Sequence, residues 1–226
     1  MEMSATKRTR TIINGILNIN KPPARTSQDI VSFVKHLSAQ RHVGHAGTLD
    51  PLATGVLPIC LGQATRMSSF IMENRKTYIA EIRLGIATNT YDRDGAIVQQ
   101  KDPSYVTKAQ IDKILPLFTG NIMQKPPSFS ALKYKGKRLY ELARSGIEVD
   151  TNAREVTIYR LELLECTLPD LAIEVECSKG TYIRSIAHDI GQSLGCGAHI
   201  SALVRTKYGH FNIKDSISLP QLEDAF

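Results

Sequence analysis

Hydrophobic positions along the chain fall into short blocks that switch between strand and helix periods. Residues 12–19 (IINGILNI) are mostly apolar and close at Asn20-Lys21-Pro22-Pro23, the pattern of a buried strand ended by prolines that cannot donate to a ladder. Thr26 stands three residues before Asp29 at capping-box spacing, and Ile30, Val34 and Leu37 follow at helical intervals with Phe33 beside them. That helix fades at Ser38-Ala39-Gln40. Residues 55–62 (GVLPICLG) read as a short buried strand bounded by glycines, and residues 64–72 as a helix. Residues 76–86 (KTYIAEIRLGI) alternate, with Tyr78, Ala80, Ile82 and Leu84 on one face and Thr77, Ile79, Glu81 and Arg83 on the less buried one. A turn at 89–95 leads to another strand at 96–98. Thr107 and Gln110 form a second capping box, opening a helix through Ile111, Ile114 and Leu115.

Residues 120–123 read as a strand that ends at Lys125-Pro126-Pro127, the second such proline exit. Strands are expected over 154–168 and 171–178. Residues 178–184 (SKGTYIR) lead into a helix carrying Ile186, Ile190 and Leu194 and stopped by Gly195 and Gly197. Residues 202–211 read as a strand pair or an extended segment, and the chain stops at Leu219-Pro220-Gln221-Leu222. Strands and helices mix without strict βαβ alternation and without a linker, which predicts one α+β domain built on a large mixed sheet.

One stretch breaks both periods. Residues 41–55 (RHVGHAGTLDPLATG) hold Gly44, Gly47 and Gly55, His42 and His45, and a single carboxylate, Asp50. The glycines allow positive φ or close approach of a ligand to the backbone, and Pro51 pushes Asp50 toward an extended conformation. Loops held on a scaffold are where chemistry concentrates. For an isolated Asp-Pro, a turn in which Asp bonds its own backbone is the simpler reading.

Composition narrows the picture. The chain has 226 residues, 42% of them hydrophobic, enough for a sizeable core. Lys plus Arg number 28 against 22 Asp plus Glu, for a net charge of +6, which suits a polyanionic partner and also simply aids solubility. Cys60, Cys166, Cys177 and Cys196 form no CxxC pair, and no signal peptide is evident, so they read as reduced thiols in a cytoplasmic protein. No apolar run approaches the ~18 residues that span a bilayer, so no membrane association is expected. Residues 1–10, with Lys7, Arg8 and Arg10, form a basic tail.

The charge is concentrated over 125–145. Lys125, Lys133, Lys135, Lys137 and Arg138 precede the first acid, Glu141, with Phe129, Tyr134 and Tyr140 interleaved. Cations and aromatics on a flexible segment fit a nucleic-acid contact, against the alternative of a solvated basic face. Other patterns fail. His42-x-x-His45 and Cys196-x-x-His199 lack a second ligand pair at zinc spacing. Asp92-x-Asp94-Gly95 resembles a calcium loop, but Lys101 stands where its bidentate Glu should be. No dinucleotide turn, P-loop, kinase or GxSxG motif is present.

Residues 44–55 (GHAGTLDPLATG) closely resemble the catalytic motif of the TruB-type tRNA pseudouridine synthases. The resemblance covers most of the chain. Residues 15–23 are similar to the family's opening strand and its KP exit. Lys76-Thr77-Tyr78 with Leu84-Gly85 resembles the second motif, and Pro126-Pro127, Ser130-Ala131-Leu132-Lys133 and Tyr140-Glu141-Leu142-Ala143-Arg144 resemble the RNA-binding thumb. Residues 178–184 resemble the basic third motif, and Arg205-Thr206 with Gly209 and Phe211 the closing segment.

The resemblance implies the pseudouridine synthase fold, a mainly antiparallel sheet flanked by helices and loops. It implies one catalytic domain over 11–226 with a thumb insertion at about 124–146, and the chain's end suggests that the C-terminal PUA-type domain of many members is absent. The implied activity isomerises the T-loop uridine of tRNA, U55, to pseudouridine, by a monomer that needs no cofactor, metal or protein partner. By resemblance Asp50 is the catalytic aspartate, Tyr78 the tyrosine that stacks on the target base and Arg184 the arginine that pairs with the catalytic carboxylate. His45 corresponds to the histidine placed near the flipped nucleotide. Gly47, Thr48 and Leu49 line the same loop, Lys21, Tyr182 and Lys179 are pocket or phosphate contacts, and Lys133 and Arg138 are thumb contacts. The chemistry agrees. Breaking N1–C1′ and rejoining through C5 uses an ionised carboxylate that adds to carbon or takes a proton, an arginine that favours the ionised form, and an aromatic face for a base that has left its stack. Whether Asp50 attacks C1′, attacks C6 or assists a glycal route stays open at this stage. Read singly, Tyr78 is equally ordinary strand core and Arg184 an ordinary surface cation.

Overall fold

A computed structural model describes residues 13–225; the basic tail at 1–10 lies outside the described residues. In chain order the elements are β1 (Gly15–Lys21), α1 (Ser27–Ser38), β2 (Val43–His45), β3 (Thr54–Leu61), α2 (Ser68–Met72), β4 (Lys76–Leu84), β5 (Ile86–Thr88), β6 (Ile97–Gln100), α3 (Lys108–Ile114), β7 (Gly120–Gln124), β8 (Lys133–Tyr134), β9 (Lys137–Arg138), α4 (Leu139–Arg144), β10 (Arg154–Thr167), β11 (Asp170–Cys177), α5 (Ile183–Ser193), β12 (Ala198–Tyr208), β13 (Phe211–Asn212) and α6 (Leu219–Asp224). The chain clusters into two compact units, Met1–Met72 with Phe211–Phe226, and Glu73–His210.

In the first unit β1 runs antiparallel to β3, with Gly15 opposite Leu61 and Lys21 opposite Gly55. β2 also pairs antiparallel with β3, His45 facing Ile59. β3 is buried from Gly55 to Leu61, which is why its sequence is apolar without alternation. α1 begins where the sequence predicts: Asp29 N–H donates to Thr26 Oγ1 at 3.0 Å, and Thr26 N–H donates to the Asp29 carboxylate at 2.7 Å. Its face of Ile30, Val31 and Val34 is buried. The helix stops as Ala39 turns left-handed, φ 51°. The late chain returns to β1 through Asn20 N–H to Ile217 O at 2.8 Å and Ile217 N–H to Asn18 O at 2.9 Å.

In the second unit β4 lies between β11 and β12, and β10 and β7 continue the sheet outward, all antiparallel. Tyr78, Ala80, Ile82 and Leu84 form the buried face of β4, as its alternation predicts. α3 opens with the expected box of Thr107 and Gln110. α5 buries Ile183, Ile186, Ala187 and Ile190 and packs on β12.

Several segments differ from the sequence reading, among them the following. Residues 62–67 form a 3-10 helix before α2, so 64–72 is not one helix; Gly62 opens it at φ 57° with its N–H on His42 O at 2.8 Å, and Gln63 N–H donates to Asn14 Oδ1 at 2.8 Å. β12 starts at Ala198, not at 202, because Gly197 at φ 77° turns the chain straight from α5 into the strand. α6 has no counterpart in the sequence reading, although Ser218 and Gln221 form a capping box with Pro220 in the first turn. The described helices include none long and apolar enough to cross a membrane.

Candidate active site

The loop carrying Asp50 is fastened on both sides of that residue. Ser27, in the first turn of α1 and 2% exposed, exchanges two hydrogen bonds with the main chain of Leu49: its Oγ donates to Leu49 O at 3.1 Å and accepts Leu49 N–H at 2.8 Å. On the other side the fully buried Lys21 donates through Nζ to Pro51 O at 3.1 Å, and also to Pro22 O at 2.9 Å and Arg25 O at 2.6 Å. Ala24 N–H reaches the same Pro51 carbonyl at 3.0 Å. Asp50 itself opens a turn, its carbonyl accepting Ala53 N–H at 3.0 Å. Leu49, Leu52 and Ala53 are buried around it. A loop whose neighbours on each side of a half-buried carboxylate are anchored holds that carboxylate's Cα in place, as chemistry requires.

Of the three glycines in this stretch, Gly47 and Gly55 both adopt φ 97°, a conformation that favours glycine; Gly44 lies within β2. Thr48 is exposed and Leu49 buried at 3%. His45, half-buried at the end of β2, lines a cleft of about 310 Å³ with Arg41, His42, Gly44, Cys60, Thr65 and Ser68.

In the second unit Tyr78 is 8% exposed on β4. It sits opposite Val175 of β11 on one side and Arg205 of β12 on the other. The Arg205 guanidinium, 1% exposed, places Nη1 3.5 Å from Tyr78 Oη. Further along β12 Tyr208 is fully buried, with Lys76 Nζ 4.6 Å and Arg205 Cζ 4.7 Å from its ring centroid. Lys76 donates to Asn74 O at 2.7 Å. Burial, followed by the repulsion of Arg205, pushes the Lys76 ammonium down to about 8, and burial lifts the neighbouring Cys177 thiol to about 12.

Arg184 is 4% exposed, so it is no surface cation. Its Nη1 donates to Thr90 O at 2.8 Å and lies 3.6 Å from Asp92 Oδ2; its Nη2 donates to Phe129 O at 2.9 Å. Asp92, 6% exposed, accepts from Thr90 Oγ1 at 2.6 Å and from Asp94 N–H at 3.1 Å. Those bonds make residues 90–94 an Asx-type turn, and the failed calcium motif is in fact the seat of Arg184's carboxylate. Tyr182 is the half-buried N-cap of α5. Lys179 is exposed and pairs with Glu73 at 2.6 Å.

The basic segment carries secondary structure of its own. β8 and β9 form a two-rung hairpin, Lys133 opposite Arg138 and Tyr134 opposite Lys137. Lys135 at φ 47° and Gly136 at φ 86° supply the two left-handed residues of a type I′ turn. Leu139 and Leu142 of α4 are buried and anchor the hairpin, while Lys133, Lys135, Lys137 and Arg138 are the basic residues of its two strands and turn. Lys135 lies over the Tyr134 ring at 5.4 Å.

Comparison with known proteins decides the family. The family model described as TruB family pseudouridylate synthase (N terminal domain) matches residues 35–183, and that for the tRNA pseudouridylate synthase B C-terminal domain matches 184–226. The chain belongs to the TruB family of pseudouridylate synthases. Such enzymes are isomerases. Among TruB relatives, a protein of Dehalococcoides mccartyi named tRNA pseudouridine synthase B is 51% identical over 94% of this chain and 71% of its own length. One of Clostridium tetani with the same name is 48% identical over 94% and 73%. Solved structures with the same fold include a chain of a Cbf5-Nop10-Gar1 complex, TM-score 0.72 and 34% identity, covering 93% of this chain and 54% of that one. Another is a chain of an H/ACA RNP bound to a substrate RNA containing 2′-deoxyuridine, TM-score 0.70 and 31% identity, covering 93% and 52%. The chain thus spans about half the length of those solved chains.

Within this TruB frame the structure adds residues that the sequence did not single out, one beside the Asp50 loop in the first unit and two beside Arg184 and Tyr78 in the second. Ser27 was hidden behind Thr26, whose cap it follows. Asp92 looked like a turn residue. Its only signal was an acid in a turn whose metal motif fails. Tyr208 reads as ordinary apolar core until its two flanking cations are seen.

Proposed function

We propose that the chain isomerises U55 in the T loop of tRNA to pseudouridine, with Asp50 as the catalytic carboxylate and the target base flipped from its stack. The observation that carries this reading is the double anchoring of the Asp50 loop, by Ser27 on Leu49 and by Lys21 on Pro51, within a chain about half identical to proteins named tRNA pseudouridine synthase B. The isomerisation is balanced within the nucleotide: N1–C1′ breaks, C5–C1′ forms, and the proton lost from C5 is matched by one gained at N1. Asp50 serves as an ionised carboxylate acting on the sugar or base. Tyr78 offers an aromatic face for the uracil, and its hydroxyl is the group suited to the C5 proton. Arg184 supports the site electrostatically. His45, Gly47, Thr48 and Leu49 border the nucleotide, and Tyr182 and Lys179 lie on the RNA path.

Lys133 and Arg138, with Lys135 and Lys137, would grip phosphates of the T arm, which their exposure on one hairpin supports. The proposal includes a cytoplasmic monomer that works without a protein partner, cofactor or metal. Identity of 48–51% to tRNA enzymes against 31–34% to chains of H/ACA complexes favours a tRNA substrate over guide-RNA dependence. The test is incubation of purified protein with unmodified tRNA transcript, followed by carbodiimide mapping of pseudouridine. A single stop in the T loop is expected. Activity only after guide RNA and partner proteins are added would replace this reading with the guided one.

A further inference from the structure

The second unit contains a buried side-chain amide that the chemistry above does not use. Gln124, the last residue of β7, is 3% exposed. Its Oε1 accepts Tyr182 N–H at 2.7 Å and its Nε2 donates to Tyr182 O at 3.0 Å. A primary amide has one acceptor and one donor edge, and here both are matched to the two main-chain groups of one residue. The arrangement imitates a rung of a β-ladder, made by a side chain at a place where no strand runs.

Tyr182 is the N-cap of α5 and has no side-chain cap of its own. Its carbonyl also accepts the first helical bonds, from Ser185 N–H at 3.1 Å and Ile186 N–H at 3.3 Å. The next residues of the same segment continue the attachment. Ser185 Oγ donates to Lys125 O at 3.0 Å, and Arg184 Nη2 donates to Phe129 O at 2.9 Å. Residues 124, 125 and 129 therefore hold residues 182, 185 and 184 in turn. Arg184 is fixed two residues before and one residue after its own Cα, and at its guanidinium.

We infer that Gln124 is a positioning residue for Arg184: its amide clamps the N-cap of α5 and thereby sets where the guanidinium stands. The inference rests on the proposed role of Arg184 in the isomerisation. Gln124 touches no substrate. Removing the clamp leaves the first turn of α5 free to shift, and displacements of about 1 Å at a catalytic group can cost on the order of a hundredfold in rate. The basic hairpin that follows keeps its own attachment through the buried Leu139 and Leu142 of α4, so the clamp does not hold it in place.

Two variants test this. Gln124→Leu should lower kcat on tRNA by tenfold or more, a larger factor than any rise in KM through Tyr182, and should speed hydrogen exchange at the Ser185 and Ile186 amides. Gln124→Glu is the sharper probe. Ionised, the carboxylate still accepts Tyr182 N–H but sets its second oxygen against Tyr182 O. Protonated, it restores both bonds. The ratio of Gln124→Glu to wild-type kcat should therefore rise as pH falls, while a merely structural role moves that ratio no differently from Gln124→Leu. Wild-type kcat in Gln124→Leu, unchanged exchange, or a flat ratio with pH would overturn the inference. A wild-type protein inactive on tRNA would instead overturn the functional reading, with amide exchange still judging the clamp.

Discussion

Replacing Arg184 with Met tests the energetics of the second unit directly. The guanidinium and the Asp92 carboxylate are buried together, their side chains 4% and 9% exposed. Methionine keeps much of the volume and removes the charge, leaving Asp92 ionised in a poorly solvated place beside Thr90 Oγ1 and the Asp94 amide. Breaking a buried pair from one side costs about 3–5 kcal/mol, because a charge is left uncompensated. The carbonyls of Thr90 and Phe129 also lose charge-assisted donors, each worth roughly 1.5–3 kcal/mol where no water takes their place. Both carbonyls are on loop segments that water can reach in part, so the expected loss is about 4 kcal/mol, not the sum. Urea denaturation followed by far-UV circular dichroism would read it as a lower midpoint at constant m. Asp92→Asn alone should cost less, and the double variant should recover part of the loss, a coupling of about 1–3 kcal/mol. Stability of the single Arg184→Met variant within about 1 kcal/mol of wild type, or strict additivity in the cycle, would refute the argument.

Ser27→Ala strands the buried Leu49 N–H at a cost of about 1–3 kcal/mol, and loosening the Asp50 loop should lower kcat about tenfold or more with little change in KM; unchanged kcat in a folded variant would contradict the anchoring. Burial raises the Asp189 carboxyl from 3.8 to about 6, so the folded protein holds that proton more tightly than the unfolded one and loses stability as pH rises from 3.8 to about 6. Asp189→Asn should thus stabilise the protein above about pH 6, by up to about 3 kcal/mol less a discount for the part of the carboxyl left in water, and should have no such effect below pH 3.8; a thermal-melt gain independent of pH would sink it. Neutralising Lys133, Lys135, Lys137 and Arg138 together should weaken tRNA binding at low salt and flatten the log–log salt dependence, by up to about 0.7–0.9 in slope for each phosphate no longer neutralised; an unchanged slope would leave the hairpin as a solvated face.

Much of this was legible in the sequence where local chemistry and tertiary packing agree. The capping boxes of Thr26 and Thr107 specify helix starts through their own hydrogen bonds, and the alternation of 76–84 names the buried face of β4 because a pleated strand has a period of two. Residues 62–72 were not, since the 3-10 turn at 62–67 is fastened by Asn14 and by His42, distant residues that no local pattern names. The Asp50 loop could be picked out by its broken period. Its anchors could not, because Lys21 and Ser27 reach it from β1 and α1, and a serine in a helix's first turn has no distinctive neighbour. Arg184 read alone looked like a surface cation; only the fold buries it beside Asp92, a residue far from it in the chain.

Asp50 carries the central claim. The most direct measurement is pseudouridine mapping of a tRNA transcript after incubation with Asp50→Asn, at enzyme in excess, beside a binding assay on the same RNA. Asparagine fits the anchored loop and cannot ionise, so the account predicts tRNA bound about as tightly as by wild type and no pseudouridine formed at U55. Pseudouridine formed at the wild-type rate by Asp50→Asn would contradict it.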